Sequence, residues 1–260
     1  MLYIPKIIHQ IWSEKYKPLP KFFQVLSETW KTKHPDWKYI HWNEKAINDV
    51  IQSEFSELCD FYNSLPFDIQ RWDMVRFLIM NKYGGLYADF DYECLENIEP
   101  LLENRTCCIG LEPDSHCMMY NIPRVLNAAL FASVPNALYI KKIIEKVIAN
   151  KIKYHDTMNK AYYILKTTGP LMLSEVYENM TNKEKKEVYL IPAKYVTPFN
   201  NVQIEQVKAG VENDELENCL QDAYAIHYFS TTWIPELNNS EKSSISNSAI
   251  EKNHYLCNLN

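Results

Sequence analysis

The stretch that most constrains this chain is residues 71–91, RWDMVRFLIMNKYGGLYADFD. Its first part is apolar on nearly every side: Trp72, Met74, Val75, Phe77, Leu78, Ile79 and Met80, broken only by Arg71, Asp73 and Arg76. Pro66 and Asp68 suit a helix start and Gly84-Gly85 a stop, which predicts a helix over 68–83. A helix apolar all round belongs in an interior. Asp73 and Arg76 stand three apart and so share one of its faces. On an outer surface they would be an ordinary solvated ion pair. In an interior they need polar partners, which a bound ligand can supply, and this second reading is the favoured one.

Past the glycines, the short run Leu86-Tyr87-Ala88 leads to Asp89 and Asp91. Side chains on a strand alternate with period two, which predicts both carboxylates on one side and Phe90 on the other. Two neighbouring carboxylates repel unless a cation lies between them. Oxygen ligands suit Mn²⁺ or Mg²⁺.

The rest of the chain alternates strand and helix signals. Strand patterns fall at 6–12, 39–42, 107–111, 188–191 and 223–229. Phe22, Phe23, Leu26 and Trp30 have helical spacing, and His34-Pro35 ends that helix. A weaker helix runs through 45–59, an apolar stretch starts at 127–133, and further helices follow Pro135-Asn136 and span 170–180. This order predicts an α/β fold, a sheet with helices on both faces. At 260 residues there is one sizeable core or at most two small ones. The expected layout is a single domain over 1–235 followed by a polar tail or docked extension at 236–260.

The 21-residue stretch resembles the DXD-motif glycosyltransferases of family 32, the capsular polysaccharide and Och1-like sugar transferases, and more distantly the large clostridial glucosylating toxins. That family's pattern, Asp-x-x-Arg then Gly-Gly-x-Tyr-x-Asp-x-Asp, stands here as Asp73…Arg76 and Gly84-Gly85-Leu-Tyr87-Ala-Asp89-Phe-Asp91. Matching segments follow in family order: Ile4–Trp12, Trp37–Asn43, Thr168-Gly169-Pro170 and Ala225–Trp233. One departure is Thr232, where the family usually has Ser before the Trp. The hydroxyl contact to metal or phosphate is thus open between Ser230 and Thr232.

The resemblance implies a GT-A (Rossmann-like) fold, a mixed central sheet flanked by helices, and retaining transfer of a hexose from a nucleotide-diphosphate sugar. It implies metal binding by Asp89, Asp91 and His227. Ile11, Trp12, Tyr87, Asp89 and Trp233 would hold the nucleotide, and Asp73, Arg76 and Asn127 the transferred sugar. Competing readings stay open for several of these. Trp12 also fits a core position, His227 a packed strand residue, Trp233 a hydrophobic plug, and Asn127 a helix N-cap. No nucleophile lies in a motif; Glu112 and Asp114 are the loosely placed carboxylates. A front-face mechanism, with the leaving phosphate taking the acceptor's proton, needs none.

The implied partners are a UDP- or GDP-sugar, with UDP favoured, and a glycan or lipid-linked acceptor such as a capsule precursor. Mn²⁺ (or Mg²⁺) is the implied cofactor. A net charge of −6 without a Lys/Arg block argues against a nucleic-acid partner. Seven cysteines without zinc spacing read as reduced thiols, and neither a signal peptide nor a membrane span is evident. A cytoplasmic enzyme is expected, touching the membrane peripherally if its acceptor is lipid-linked. Two other classes compete: a metal-dependent nucleotide-sugar hydrolase or phosphodiesterase, and a non-catalytic sugar-nucleotide-binding module.

Overall fold

The computed structural model describes residues 3–230. Its centre is a six-stranded mixed sheet in the order β2-β1-β3-β6-β5-β7, built from β1 (Ile7–Ile11), β2 (Lys38–Trp42), β3 (Gly85–Ala88), β5 (Cys107–Leu111), β6 (Leu126–Ser133) and β7 (Tyr189–Ile191). β1 runs parallel to β2 and β3, β6 antiparallel to β3 and β5, and β7 parallel to β5. A two-stranded antiparallel sheet pairs β4 (Tyr92–Cys94) with β8 (Ala225–His227).

Strand periodicity divides the interior. Tyr87 and Phe131 join the cluster under the helices Asp68–Tyr83, Leu138–Ala149 and Pro170–Glu178. Leu86, Ala88, Leu130 and Ala132 join the opposite cluster with Trp30, Trp37 and Tyr92. Cys107 and Cys108 fall on opposite faces for the same reason, and the six described cysteines are all free thiols. Among the described residues no helix is long and apolar enough to cross a membrane.

The helix expected over 68–83 spans Asp68–Tyr83, buried on all sides through Asp73–Met80. Asp68 is its first residue rather than its cap; Phe67 holds the cap position and the Asp68 carboxylate bonds Lys15, Tyr16 and Arg71 instead. The helix expected over 45–59 stops at Glu54, because Phe55 turns inward with a non-helical backbone. The helices Asp114–Tyr120, Lys160–Thr167, Asn201–Lys208 and Asp214–Leu220 were not expected, although Asn159, Asn200 and Asn213 are recognisable N-caps for the last three.

Candidate active site

The site is built on the end of β3. The chain leaves the Asp68–Tyr83 helix through Gly84 (φ 61°) and Gly85 (φ 103°), a backbone that L side chains rarely adopt. Space forbids a side chain there as well. A Cβ on Gly84 would fall 2.6 Å from the Ser133 carbonyl oxygen, and one on Gly85 2.5 Å from that of Ile7. The two glycines therefore let β3 lie flush between β1 and β6.

Asp89 and Asp91 are not strand neighbours, as the period-two argument expected. β3 ends at Ala88, and the two acids sit in a turn closed by Tyr92 N–H donating to the Asp89 carbonyl at 3.1 Å. The turn still brings both carboxylates to the same place. Its position is fixed from outside, since Asp89 N–H donates to Ala129 O at 2.8 Å and Gln10 Nε2 donates to Asp89 O at 3.1 Å. His227, on β8, completes the group: one ligand atom each from Asp89, Asp91 and His227 lie within 4.8 Å of one another. The set of two carboxylates and an imidazole suits a hard divalent cation. His227 Nδ1 is buried and has no partner among the described residues.

Charge is unevenly shared in this group. Burial, reinforced by the Asp91 charge, pushes the Asp89 carboxyl up despite Arg76. Burial also opposes ionisation of Asp91, yet His227 and the Ser230 N–H together hold its carboxyl below the usual range. His227 is correspondingly raised, burial being outweighed by Asp91 at 3.3 Å. Two half-buried acids so close repel each other unless positive charge lies between them.

The Asp73–Arg76 pair lies alongside, buried as expected. Arg76 pairs with Asp73 at 2.7 Å, approaches Asp89 at 3.5 Å, donates to Ala128 O at 2.8 Å and lies over the Tyr87 ring. Thr168 donates to the other Asp73 oxygen at 2.6 Å. The protein thus meets much of the polar demand that the sequence left to a ligand. Arg76 Nε remains buried without a partner. Burial pushes the Asp73 carboxyl up to about 6, against the pull of Arg76 and Thr168.

All of these groups open on one cavity of about 1130 Å³, which Ile11, Trp12 and Asn127 also line. Trp12 meets Phe23 and Phe90 edge-on and donates from Nε1 to Lys17 O, so it packs and lines the cavity at once. Tyr87 borders the cavity, but its hydroxyl is committed to Asp89. Asn127 is no helix cap. It is fully buried in β6, donating to the Tyr92 hydroxyl at 2.7 Å and accepting from Ala129 N–H. Ser230 meets Asp91 through its backbone N–H at 2.8 Å, while Thr232, Trp233 and the stretch 236–260 lie outside the described residues.

Several supporting residues escaped the sequence reading. Tyr92 stacks flat on His227, with centroids 4.4 Å apart, and fixes the plane of its ring. Gln10 and His9 act from behind β3, His9 bonding Gly84 O at 2.9 Å. Ile11 and Trp12, expected to hold the nucleotide, both reach the cavity, whereas His9 and Gln10 do not line it. Asp114 does not line it, whereas Glu112 does. No motif marks these residues; a polar residue inside an apolar strand, as in His9-Gln10, is the one available sign.

Residues 20–107 match the family described as glycosyltransferase sugar-binding region containing DXD motif. The chain is 36% identical over 174 residues to inositol phosphoceramide mannosyltransferase 3 of Schizosaccharomyces pombe, covering 67% of this chain and 45% of that protein. It is 27% identical over 241 residues to inositol phosphoceramide mannosyltransferase 2 of the same yeast, covering 88% and 58%. The chain thus spans about half the length of these curated relatives. Among solved structures, the PaToxG glycosyltransferase superposes with a TM-score of 0.50 at 17% identity, covering 85% of this chain and 89% of that one.

The fold is that of the GT-A glycosyltransferases. Within that class, the chain belongs to the DXD-motif glycosyltransferases whose sugar-binding region carries Asp89 and Asp91.

Proposed function

We propose that this protein is a retaining, metal-dependent hexosyltransferase acting on a nucleotide-diphosphate sugar and a glycan or lipid-linked acceptor. One observation carries the reading. The Asp89–Asp91–His227 group and the buried Asp73–Arg76 pair face the same cavity, and Arg76 links them. Leaving-group charge and sugar hydroxyls need these two kinds of site side by side.

Asp89, Asp91 and His227 would hold Mn²⁺ or Mg²⁺, which as a Lewis acid neutralises charge growing on the diphosphate. Asp73 and Arg76 orient the sugar hydroxyls, with Thr168 and Ala128 O fixing both side chains in turn. Ile11 and Trp12 border the nucleotide end. Retention is carried over from the family resemblance, and in the front-face form the departing phosphate oxygen takes the acceptor's proton. Residues 1–235 would form the single catalytic domain. The sequence reading favoured UDP-sugars, but the relatives' names, inositol phosphoceramide mannosyltransferases, support mannose as the sugar and a phosphoinositol lipid as the acceptor class. A two-metal hydrolase would need a second ligand group, and the described residues hold one such group.

The test is release of free sugar from GDP-mannose and a panel of UDP-sugars, with Mn²⁺ and with EDTA. Slow turnover of one donor, abolished by EDTA, is expected. No turnover and no nucleotide binding with any donor would sink the transferase reading.

A further inference from the structure

The cavity has a second polar wall that the donor-binding residues do not use. Glu112 follows β5, held beside the start of β6 by its N–H donating to Val125 O at 2.9 Å. Its Oε2 bonds His116 Nδ1 at 2.7 Å, and His116 Nε2 meets Asn201 Oδ1 at 2.9 Å. Three elements are thereby joined by one polar chain: the end of β5 and the helices Asp114–Tyr120 and Asn201–Lys208. Glu112 and His116 are each only 9% exposed, and all three residues line the cavity. Among the described residues no hydrogen bond reaches the other Glu112 oxygen, Oε1.

This wall stands close to the metal group without belonging to it. The Phe229 ring lies between, 5.2 Å from the His116 ring and 4.1 Å from that of His227. Phe229 reaches this place with φ 46°, a conformation unusual for a bulky residue. The cavity volume, about 1130 Å³, exceeds the roughly 300–1,000 Å³ of a single-ligand pocket. There is space for two substrates. One wall is given over to charge neutralisation and sugar hydroxyls. The other presents a buried carboxylate with a free oxygen.

We infer that the Glu112–His116–Asn201 chain is an acceptor subsite, in which Glu112 Oε1 accepts a hydrogen bond from a non-reacting hydroxyl of a polyol acceptor, a sugar or a cyclitol. The inference rests on the transferase reading above. His116 is the positioning residue: it occupies Oε2, so that Oε1 points to substrate, and Asn201 holds His116 in turn. The reacting hydroxyl is a neighbour on the same ring. Its oxygen bonds the anomeric carbon as the bond to the diphosphate breaks, the electron pair leaves on the diphosphate, and the proton goes to the departing phosphate oxygen. Glu112 takes no proton. Its part is orientation, so water, which needs no such grip, attacks equally well without it.

The experiment follows two fates of the donor sugar in one assay, release to water and transfer to myo-inositol or methyl α-mannopyranoside, with Mn²⁺ and whichever donor the wild type turns over. Glu112→Ala should raise KM for the polyol about ten- to a hundredfold. Sugar release to water and affinity for the nucleoside diphosphate should stay unchanged. Glu112→Gln, which keeps one acceptor oxygen, should recover part of the loss, and His116→Phe should resemble Glu112→Ala more weakly. If water release and nucleotide affinity fall in step with transfer, Glu112 is merely structural and the inference fails. It fails too if the wild type releases sugar but transfers it to neither polyol, or if Glu112→Ala transfers normally. Absence of any release by the wild type overturns the transferase reading itself, and with it the acceptor subsite.

Discussion

The two walls of the cavity are made in different ways. The donor wall is one continuous piece of chain, from Asp73 on its helix through the Gly84-Gly85 turn to Asp91, with His227 added across the β4–β8 pair. Its spacing is set by local backbone geometry, and a row of buried groups fixes it from behind. The opposite wall gathers Glu112, His116, Asn201 and Phe229 from separate segments, and the His116–Asn201 bond spans 85 residues. Its helix exposes Met118 and Met119 to solvent at 75% and 61%. On the proposed function, reaction chemistry would rest on the contiguous part, and partner choice would fall to the assembled part, where a change in one loop alters one contact.

The largest effect should come from breaking the donor wall at its charge. Asp91→Asn keeps shape and the Ser230 contact but removes a ligand charge. Sugar release with Mn²⁺ should drop on the order of a thousandfold, while thermal stability changes little. A variant that retains most of its turnover would show that Asp91 is not a metal ligand.

The backbone comes next. Gly85→Ala should cost about 3 kcal/mol or more, because it combines φ 103° with a Cβ 2.5 Å from Ile7 O. Gly110, on β5 beside the acceptor wall, has no positive φ, and its Cβ would meet Val196 Cγ2 at 3.2 Å. Gly110→Ala should therefore cost about 1 kcal/mol or less. Urea unfolding of the two variants measures the difference in steric cost directly. Equal costs would remove the contrast between the walls.

That contrast also explains what could be read in advance. The buried helix, the glycine turn, the acid pair and the strands β1, β2, β3, β5, β7 and β8 were visible because each is encoded within a few adjacent residues, whereas β4 was not expected and β6 was read only as an apolar stretch. The Asp89–Asp91 geometry was anticipated for the wrong reason: a turn, not strand alternation, brings the carboxylates together. Asn127 was ambiguous because a buried strand Asn and a capping Asn look alike without the Tyr92 hydroxyl, 35 residues away in sequence. Glu112 was noticed, but only as a stray carboxylate, since Asn201, which completes its polar chain through His116, arrives by tertiary packing alone. Four-residue spacing of Glu112 and His116 was the sole local hint.

Asp73→Asn sharpens the division of labour within the donor wall. The amide keeps the volume and can still accept from Thr168, but it loses the ion pair with Arg76. If Asp73 orients the sugar, kcat for sugar release should fall about a hundredfold while affinity for the nucleoside diphosphate alone persists. Loss of nucleotide affinity to the same degree would instead make the pair a structural brace for Asp89.

The smallest effect compares one histidine behind each wall. His9 lies fully inside, with Nε2 toward Gly84 O and Nδ1 accepting from Trp42 Nε1 at 3.1 Å, so both ring nitrogens are satisfied in the neutral form. Burial lowers its pKa to about 4, against the ordinary 6.5. Below pH 6.5 the unfolded chain binds this proton first, so stability is complete above 6.5, declines between 6.5 and 4, and is flat below. The loss is at most about 3 kcal/mol. His116 has the opposite sign: burial lowers its pKa, but Glu112 and Asn201 outweigh that and raise it. Its contribution is present below 6.5 and disappears as pH rises through the folded value. In urea titrations from pH 4 to 8, His9→Gln should flatten the acid decline, leaving the part due to His34 and His41, which burial also lowers. His116→Gln should instead cost stability at and below pH 6.5 and progressively less toward pH 8, because it removes one of the terms, with that of His227, that are lost as pH rises. If the two variants shift the pH profile in the same direction, the neutral histidine behind the donor wall and the charged one in the acceptor wall are not the opposites that their hydrogen bonds imply.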